Sequence, residues 1–137
     1  MKKNFERLVK IIAILVLGVF AISCGKGGKG SAEPGSVEAI KKAGKIRIGV
    51  FGDKPPFGFV DENGKNQGYD IYLAKRLAKD LLGDENKIEF ITLEAANRVE
   101  YLLSNKVDII LANFTVTDER KQKVDFAKPY MKVSLGI

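Results

Sequence analysis

Val107-Asp108-Ile109-Ile110-Leu111-Ala112, continued directly by Asn113-Phe114-Thr115-Val116-Thr117-Asp118-Glu119-Arg120, decides the fold of this chain. The first six residues are a nearly continuous apolar run, the pattern of a strand buried on both faces, and they predict a central strand of a parallel sheet. Towards the amino terminus, residues 95–105 predict a helix, with Val99, Leu102 and Leu103 on its apolar stripe and Arg98 one position off it. Lys87 to Leu93 (KIEFITL) alternates polar and apolar side chains as a strand does. Before it, Ile71, Ala74, Leu77, Ala78 and Leu81 mark a helix that starts at Asp70, a good N-cap, and ends at Leu82 before Gly83. Lys45 to Val50 (KIRIGV) is a further strand, and Val37 to Ala43 a short helix capped by Ser36 and stopped by Gly44. Strands alternating with helices make a βαβαβ unit, so the expected class is α/β with a parallel sheet.

Open parallel sheets bind ligands at the carboxyl ends of their strands. The segment after the apolar run suits that place, because residues 113–120 bring together an amide, short hydroxyls and a guanidinium. Backbone N–H groups near a helix start and the hydroxyl of Thr115 can donate to an anion, and Arg120 offers a planar fork matching both oxygens of a carboxylate. The same residues permit a purely structural reading, in which Thr117 and Asp118 cap a short helix and Arg120 pairs with Glu119 or Asp125. Phe57-Gly58-Phe59-Val60 with the turn Asp61-Glu62-Asn63-Gly64 predicts a small hairpin, whose aromatics serve either as core or as an apolar ligand wall.

Composition narrows the chemistry. The chain of 137 residues has one cysteine and no histidine. That removes the usual general base, the imidazole metal ligands and every Ser-His-Asp or Cys-His arrangement. No metal and no cofactor is expected.

The cysteine, Cys24, stands where the apolar stretch Ile11 to Ile22 gives way to a glycine- and lysine-rich segment, Gly25 to Ser31. With Lys2, Lys3, Arg7 and Lys10 ahead of the stretch, this is the layout of a bacterial lipoprotein signal. Ala21-Ile22-Ser23-Cys24 resembles a lipobox, with Ala21 where that pattern usually carries leucine. The other reading, a membrane span beginning at Leu8, meets the difficulty that a span needs roughly twenty apolar residues. The expected organisation is a signal peptide over 1–23, a lipid-bearing Cys24 with a flexible tether over 24–35, and a folded part over 36–137. Acylation would consume the only thiol and leave no internal disulfide. The protein would then work outside the cytoplasm, anchored by lipid on the periplasmic side or outer surface of a membrane. Removing residues 1–23 lowers the formal charge from +6 to +3. The remaining lysines are interspersed with acids as on an ordinary solvated surface, which argues against nucleic acid as a partner.

Several segments stand in a telling order: Lys45-Ile46-Arg47-Ile48-Gly49-Val50, Pro55-Pro56-Phe57, Gly68-Tyr69-Asp70-Ile71, Lys106-Val107-Asp108-Ile109-Ile110, Thr115 to Arg120, and Val124-Asp125-Phe126-Ala127-Lys128-Pro129-Tyr130. The ordered set resembles family 3 extracellular solute-binding proteins, the receptors of polar amino-acid ABC importers, over residues 36–137. The resemblance implies a two-lobed periplasmic-binding-protein type II fold, of which this chain would supply the first lobe and lack the second. It also implies an amino acid as ligand, a permease and an ATPase as partners, and no catalysis. By that similarity Arg120 would clamp the ligand's α-carboxylate, Thr115 would bind it through N–H and hydroxyl, and the carbonyl of Asn113 would accept from the α-amino group.

Asn97-Arg98-Val99-Glu100 is similar to the helix start of members that bind cysteine or acidic amino acids, and Val50 to Phe57 is most similar to cysteine-binding members. Cysteine is therefore the expected ligand. Aspartate and glutamate come next, since Arg98 facing the cleft can pair with a side-chain carboxylate. Taken by itself, Arg98 is equally a solvated helix residue beside Glu94 or Glu100. Lys54 and Ala95 replace the aromatic walls of basic- and amide-binding members, which favours a small ligand and leaves Phe57 as an apolar wall. The same fold resembles cyclohexadienyl dehydratases and the receptor-like modules of some lytic transglycosylases. An enzyme, or a truncated surface lipoprotein with no ligand, is thus the alternative.

Overall fold

The computed structural model describes residues 32–132. The signal peptide, Cys24, the tether up to residue 31, and residues 133–137 lie outside the described residues. The first helix, α1 (Val37–Ala43), begins where the Ser36 hydroxyl accepts from the Ala39 N–H at 3.2 Å and ends at a left-handed Gly44. Three parallel strands come after it at intervals: β1 (Ile46–Val50), β5 (Ile88–Thr92) and β6 (Ile109–Leu111), in the order β5-β1-β6. Ile48 faces Phe90 on one side and Ile109 on the other, and Val50 faces Thr92 and Leu111.

β1 is therefore the central strand, and Ile46, Ile48 and Val50 are fully buried. The expectation that the 107–112 run is central and buried on both faces is corrected: β6 is an edge strand among the described residues, and all three of its residues are only half-buried. An apolar run reports that both faces of a strand are covered, not that both backbone edges are paired. Ile109 and Leu111 do pack with α2 (Tyr69–Leu82), while Ile110 packs on the opposite side with Phe51, Leu93 and Ala112.

α2 lays Ile71, Ala74 and Ala78 on β1. Its start differs from the expectation. Gly68, not Asp70, is the N-cap, and Asp70 lies inside the first turn with no exposed surface. Gly68 sits at φ +116°, and a Cβ there would stand 2.3 Å from the carbonyl oxygen of Phe57, so only glycine fits. That close approach lets the Pro56 and Phe57 carbonyls accept from the Tyr69 and Asp70 N–H groups at 3.0 and 2.9 Å, which satisfies donors a capping side chain would otherwise serve.

Between β1 and α2 lies a small antiparallel sheet of β2 (Asp53–Lys54), β3 (Gly58–Val60) and β4 (Asn66–Gln67), in that order. The expected hairpin is its β3–β4 pair. Its turn is tied by Asp61, whose carboxylate accepts from the Asn63 and Lys65 N–H groups, both at 2.9 Å. The single helix expected over 95–105 is instead a 3-10 turn (Ala95–Asn97) leading into α3 (Arg98–Leu103). Glu94 provides no side-chain cap, and Asn105 takes a left-handed conformation, φ +55°, that ends the segment. The rotation set by that irregular start buries Arg98 and leaves Leu103, expected on the apolar stripe, 61% exposed. α4 (Asp118–Lys121) is a single turn capped by the Thr117 hydroxyl.

At the amino ends of the strands, Arg47 grips Asp108 through Nη2 at 2.5 Å and Nε at 3.2 Å, while the Arg47 N–H donates to the same carboxylate at 2.8 Å. This pair fastens β6 to β1 and leaves the carboxyl ends free for the site.

Candidate functional site: a guanidinium-flanked loop

At the carboxyl ends of β1 and β6 the chain continues into two buried residues, Phe51 and Ala112. Asn113 then turns the backbone sharply at φ +47°, a left-handed conformation that asparagine tolerates better than most residues. The turn is closed by the Thr115 N–H, which donates to the Asn113 carbonyl at 3.1 Å. Phe114 projects between two guanidinium groups, Arg98 at 4.8 Å and Arg120 at 4.9 Å from its ring centre. Arg98 also stacks on Phe51 at 5.6 Å, and the Phe51 ring is approached as well by the Lys54 ammonium at 5.7 Å. Cations and aromatic rings thus alternate across the strand ends.

Arg98 is buried, 8% exposed, and has no carboxylate partner among the described residues. It is satisfied by main-chain oxygens instead: Nε donates to Ala95 at 2.9 Å, and Nη1 to Ala112 and Asn113 at 2.9 and 3.0 Å. Burial pulls its pKa down, and so does the positive charge of Arg120. Arg120 donates through Nη1 to the Thr115 carbonyl at 2.8 Å. It does not pair with Glu119 or Asp125, as the structural reading of that segment supposes. Glu119 pairs with Lys123 at 3.2 Å and Asp118 with Lys121 at 3.3 Å, while Thr117 does cap α4 as that reading holds. Two cations brought together without acids in a partly desolvated place create a potential that favours an anion.

Of the residues singled out in the sequence, Asn113, Thr115, Arg98 and Arg120 meet around this loop. Phe57 approaches the same loop from its other side, away from the guanidiniums. It is half-buried and lines a groove of about 690 Å³ beside β6 that Asn113, Thr115, Phe126 and Met131 share, and neither guanidinium lines that groove. Cys24 lies outside the described residues. Among the described residues no group of three His, Cys, Asp or Glu side chains could hold a metal ion.

Four further participants stand outside that set. Phe51 and Phe114 each come closely after a strand end, the legible signal for aromatic groups at a site. In sequence Asp70 reads as a cap and Tyr130 only as a motif residue. In the fold the Tyr130 hydroxyl donates to Asp70 Oδ1 at 2.9 Å, and the second carboxylate oxygen is buried with no hydrogen-bond partner. Burial pushes the Asp70 carboxyl up, against the opposing pull of the Tyr130 hydroxyl and the Asn113 backbone N–H. Burial and the neighbouring carboxylate also push the Tyr130 hydroxyl well above its ordinary range.

A parallel α/β lobe carrying a cationic loop at its strand ends has the architecture of one lobe of a type II periplasmic-binding protein. The model of bacterial extracellular solute-binding proteins, family 3, matches residues 46–137, and the chain belongs to that family. A glutamine-binding protein of Geobacillus stearothermophilus is 45% identical over 101 residues, which cover 73% of this chain and 38% of the relative. The crystal structure of the solute receptor for L-cysteine of Neisseria gonorrhoeae superposes with a TM-score of 0.69 at 70% identity, over 70% of this chain and 39% of the receptor. The chain thus spans about two fifths of each of these relatives. The arginine-bound form of domain 1 from TmArgBP superposes with a TM-score of 0.65 at 38% identity, over 70% of this chain and 72% of that one.

Proposed function

We propose that this lobe captures a free amino acid, cysteine foremost, for an ABC importer outside the cytoplasmic membrane. The observation that carries the reading is the convergence of Arg98 and Arg120 on Phe114 with no carboxylate between them. Arg120 holds the loop with only one of its terminal nitrogens. The rest of its fork suits an α-carboxylate, beside the Thr115 hydroxyl. Arg98 spends its hydrogen bonds on three main-chain carbonyls and is buried. This supports a role in shaping the loop rather than in gripping a ligand side chain, and it favours cysteine over aspartate or glutamate. The Asn113 carbonyl already accepts from both Arg98 and Thr115, so it is a poorer acceptor for an α-ammonium group than the family pattern supposes.

The 70% identity to a receptor for L-cysteine supports the same choice of ligand. The arginine-bound domain 1 of TmArgBP supports the view that a single lobe retains an amino acid. The lipid anchor on Cys24 and the permease and ATPase partners belong to this reading. No observation favours an enzyme: Asp70, the one fully buried carboxylate among the described residues, has no exposed surface from which to act as an acid on a substrate.

The test is a thermal-shift series on the full chain in mild detergent, with cysteine under reducing conditions, glutamine, glutamate, aspartate and arginine. A melt raised by cysteine alone supports the reading through mass action. A melt raised by glutamate or aspartate returns Arg98 to the ligand, and one that no amino acid moves removes the reading. Arg120→Ala is expected to weaken binding by at least about 2 kcal/mol in calorimetry, because it leaves a carboxylate without its charged partner.

A further inference from the structure

Asp70 is the only fully buried carboxylate among the described residues, and nothing in its own helix requires it there. The first donors of α2 are already taken by the Pro56 and Phe57 carbonyls. A desolvated carboxylate with one unpaired oxygen lowers stability, and a well-packed apolar or amide side chain would avoid that cost. What the carboxylate does is join distant parts of the chain. Its Oδ1 accepts from Tyr130, sixty positions away, at 2.9 Å.

The segment after α4, residues 125–132, contains no helix or strand. Two aromatic residues fix it. Phe126 packs on Phe114 with ring centres 5.1 Å apart, and Tyr130 packs on Tyr69 at 6.0 Å while donating to Asp70. One attachment therefore lands on the ring that the two guanidiniums flank, and the other on the first turn of α2. The strap is thus fixed to the loop at one end and to α2 at the other.

We propose that Asp70 is a positioning residue for the ligand loop: its buried carboxylate fixes the Tyr130 strap to α2, and Phe126 of the same strap packs on Phe114 of the loop, so that strap and loop adopt one arrangement together and amino-acid affinity depends on the tie. The affinity part rests on the amino-acid reading of the site. Asparagine at position 70 preserves the tie, since its amide side chain still pairs with the Tyr130 hydroxyl. Alanine removes it.

The experiment measures cysteine affinity by calorimetry well below the melt, together with backbone amide resonances, on the full chain in mild detergent. The variants are Asp70→Ala, Asp70→Asn, Tyr130→Phe and the double variant Asp70→Ala/Tyr130→Phe. Asp70→Ala and Tyr130→Phe are expected to shift the Asn113 and Thr115 amides and to weaken binding about tenfold, the loss of one hydrogen bond to a carboxylate. Asp70→Asn is expected to stay within about threefold of the parent, and the double variant to bind no more weakly than Asp70→Ala, because both substitutions break one connection. If Asp70→Ala does not fold, Tyr130→Phe decides alone.

Loop amides that stay in place in the folded variants overturn the proposal, whether or not an amino acid binds. Amides that move with no loss of affinity for cysteine overturn it too. Amides that move in a parent protein that binds no amino acid leave the strap–loop tie standing and remove the amino-acid reading instead.

Discussion

Arg98 illustrates how far a single residue can be judged from its neighbours in sequence. Helical spacing places it one position off an apolar stripe, where it is equally a solvated residue or a ligand clamp. Only the irregular start of α3 buries it, between two rings that follow the ends of different strands. Arg98→Ala is accordingly expected to weaken every amino acid that binds by a similar factor and to lower stability by about 2 kcal/mol, since it orphans buried carbonyls. A changed order of preference among ligands with unchanged stability would contradict that role.

Asp70 gives a second prediction. Its carboxyl is raised above the ordinary value by burial, against the opposing pull of the Tyr130 hydroxyl. Between the ordinary carboxylate pKa and the raised one, the folded chain holds more protons than the unfolded chain, so stability falls as pH rises through that window. Asp70→Asn is expected to abolish this fall, read as the difference between the two melting curves against pH. Asp61, held low by the Gln67 side chain and the Lys65 N–H, acts oppositely and cancels in that difference.

Among the elements, the strands and α2 are legible in the sequence because periodicity depends on faces, and faces are what the core covers. Lateral order is not legible. Among the described residues the most apolar run lies at an edge and the alternating KIRIGV strand at the centre, because pairing is decided by contacts far apart in sequence. The start of α2 differs by two residues for a related reason: its donors are satisfied by carbonyls of the preceding loop, which a search for capping side chains cannot see. β6 depends on one fastening in particular. Asp108 has a side chain only 6% exposed, and it holds Arg47 by ion pair and hydrogen bonds while raising the guanidinium's pKa. Asp108→Ala is expected to cost about 3 kcal/mol in denaturant unfolding, because it leaves a partly buried arginine without its partner. A loss below about 0.5 kcal/mol would rank the pair with exposed ion pairs.

For the whole molecule, the family and the single-lobe architecture are carried by the order of short segments, and both are upheld. The groove beside β6 is only half legible, because residues 108–111 and 113–116 of the opening stretch are joined in its walls by Phe57, Leu102 and residues 125–132, and no short stretch contains them all. An apolar groove next to a sheet edge invites association between copies. Met131 lies on it and is 40% exposed, so Met131→Lys is expected to reduce self-association in sedimentation velocity while leaving the melting temperature within about a degree of the parent.

The bond between Tyr130 and Asp70 also has an optical side. The chain has no tryptophan and four tyrosines, Tyr69, Tyr72, Tyr101 and Tyr130, so its near-ultraviolet emission comes from phenol rings alone, with no indole to drain it by energy transfer. A phenol that donates to a carboxylate emits weakly, because the excited ring loses its proton to the acceptor. The Tyr130 share of that emission is therefore dim while its contact with Asp70 holds and brightens when the contact opens, with no label attached.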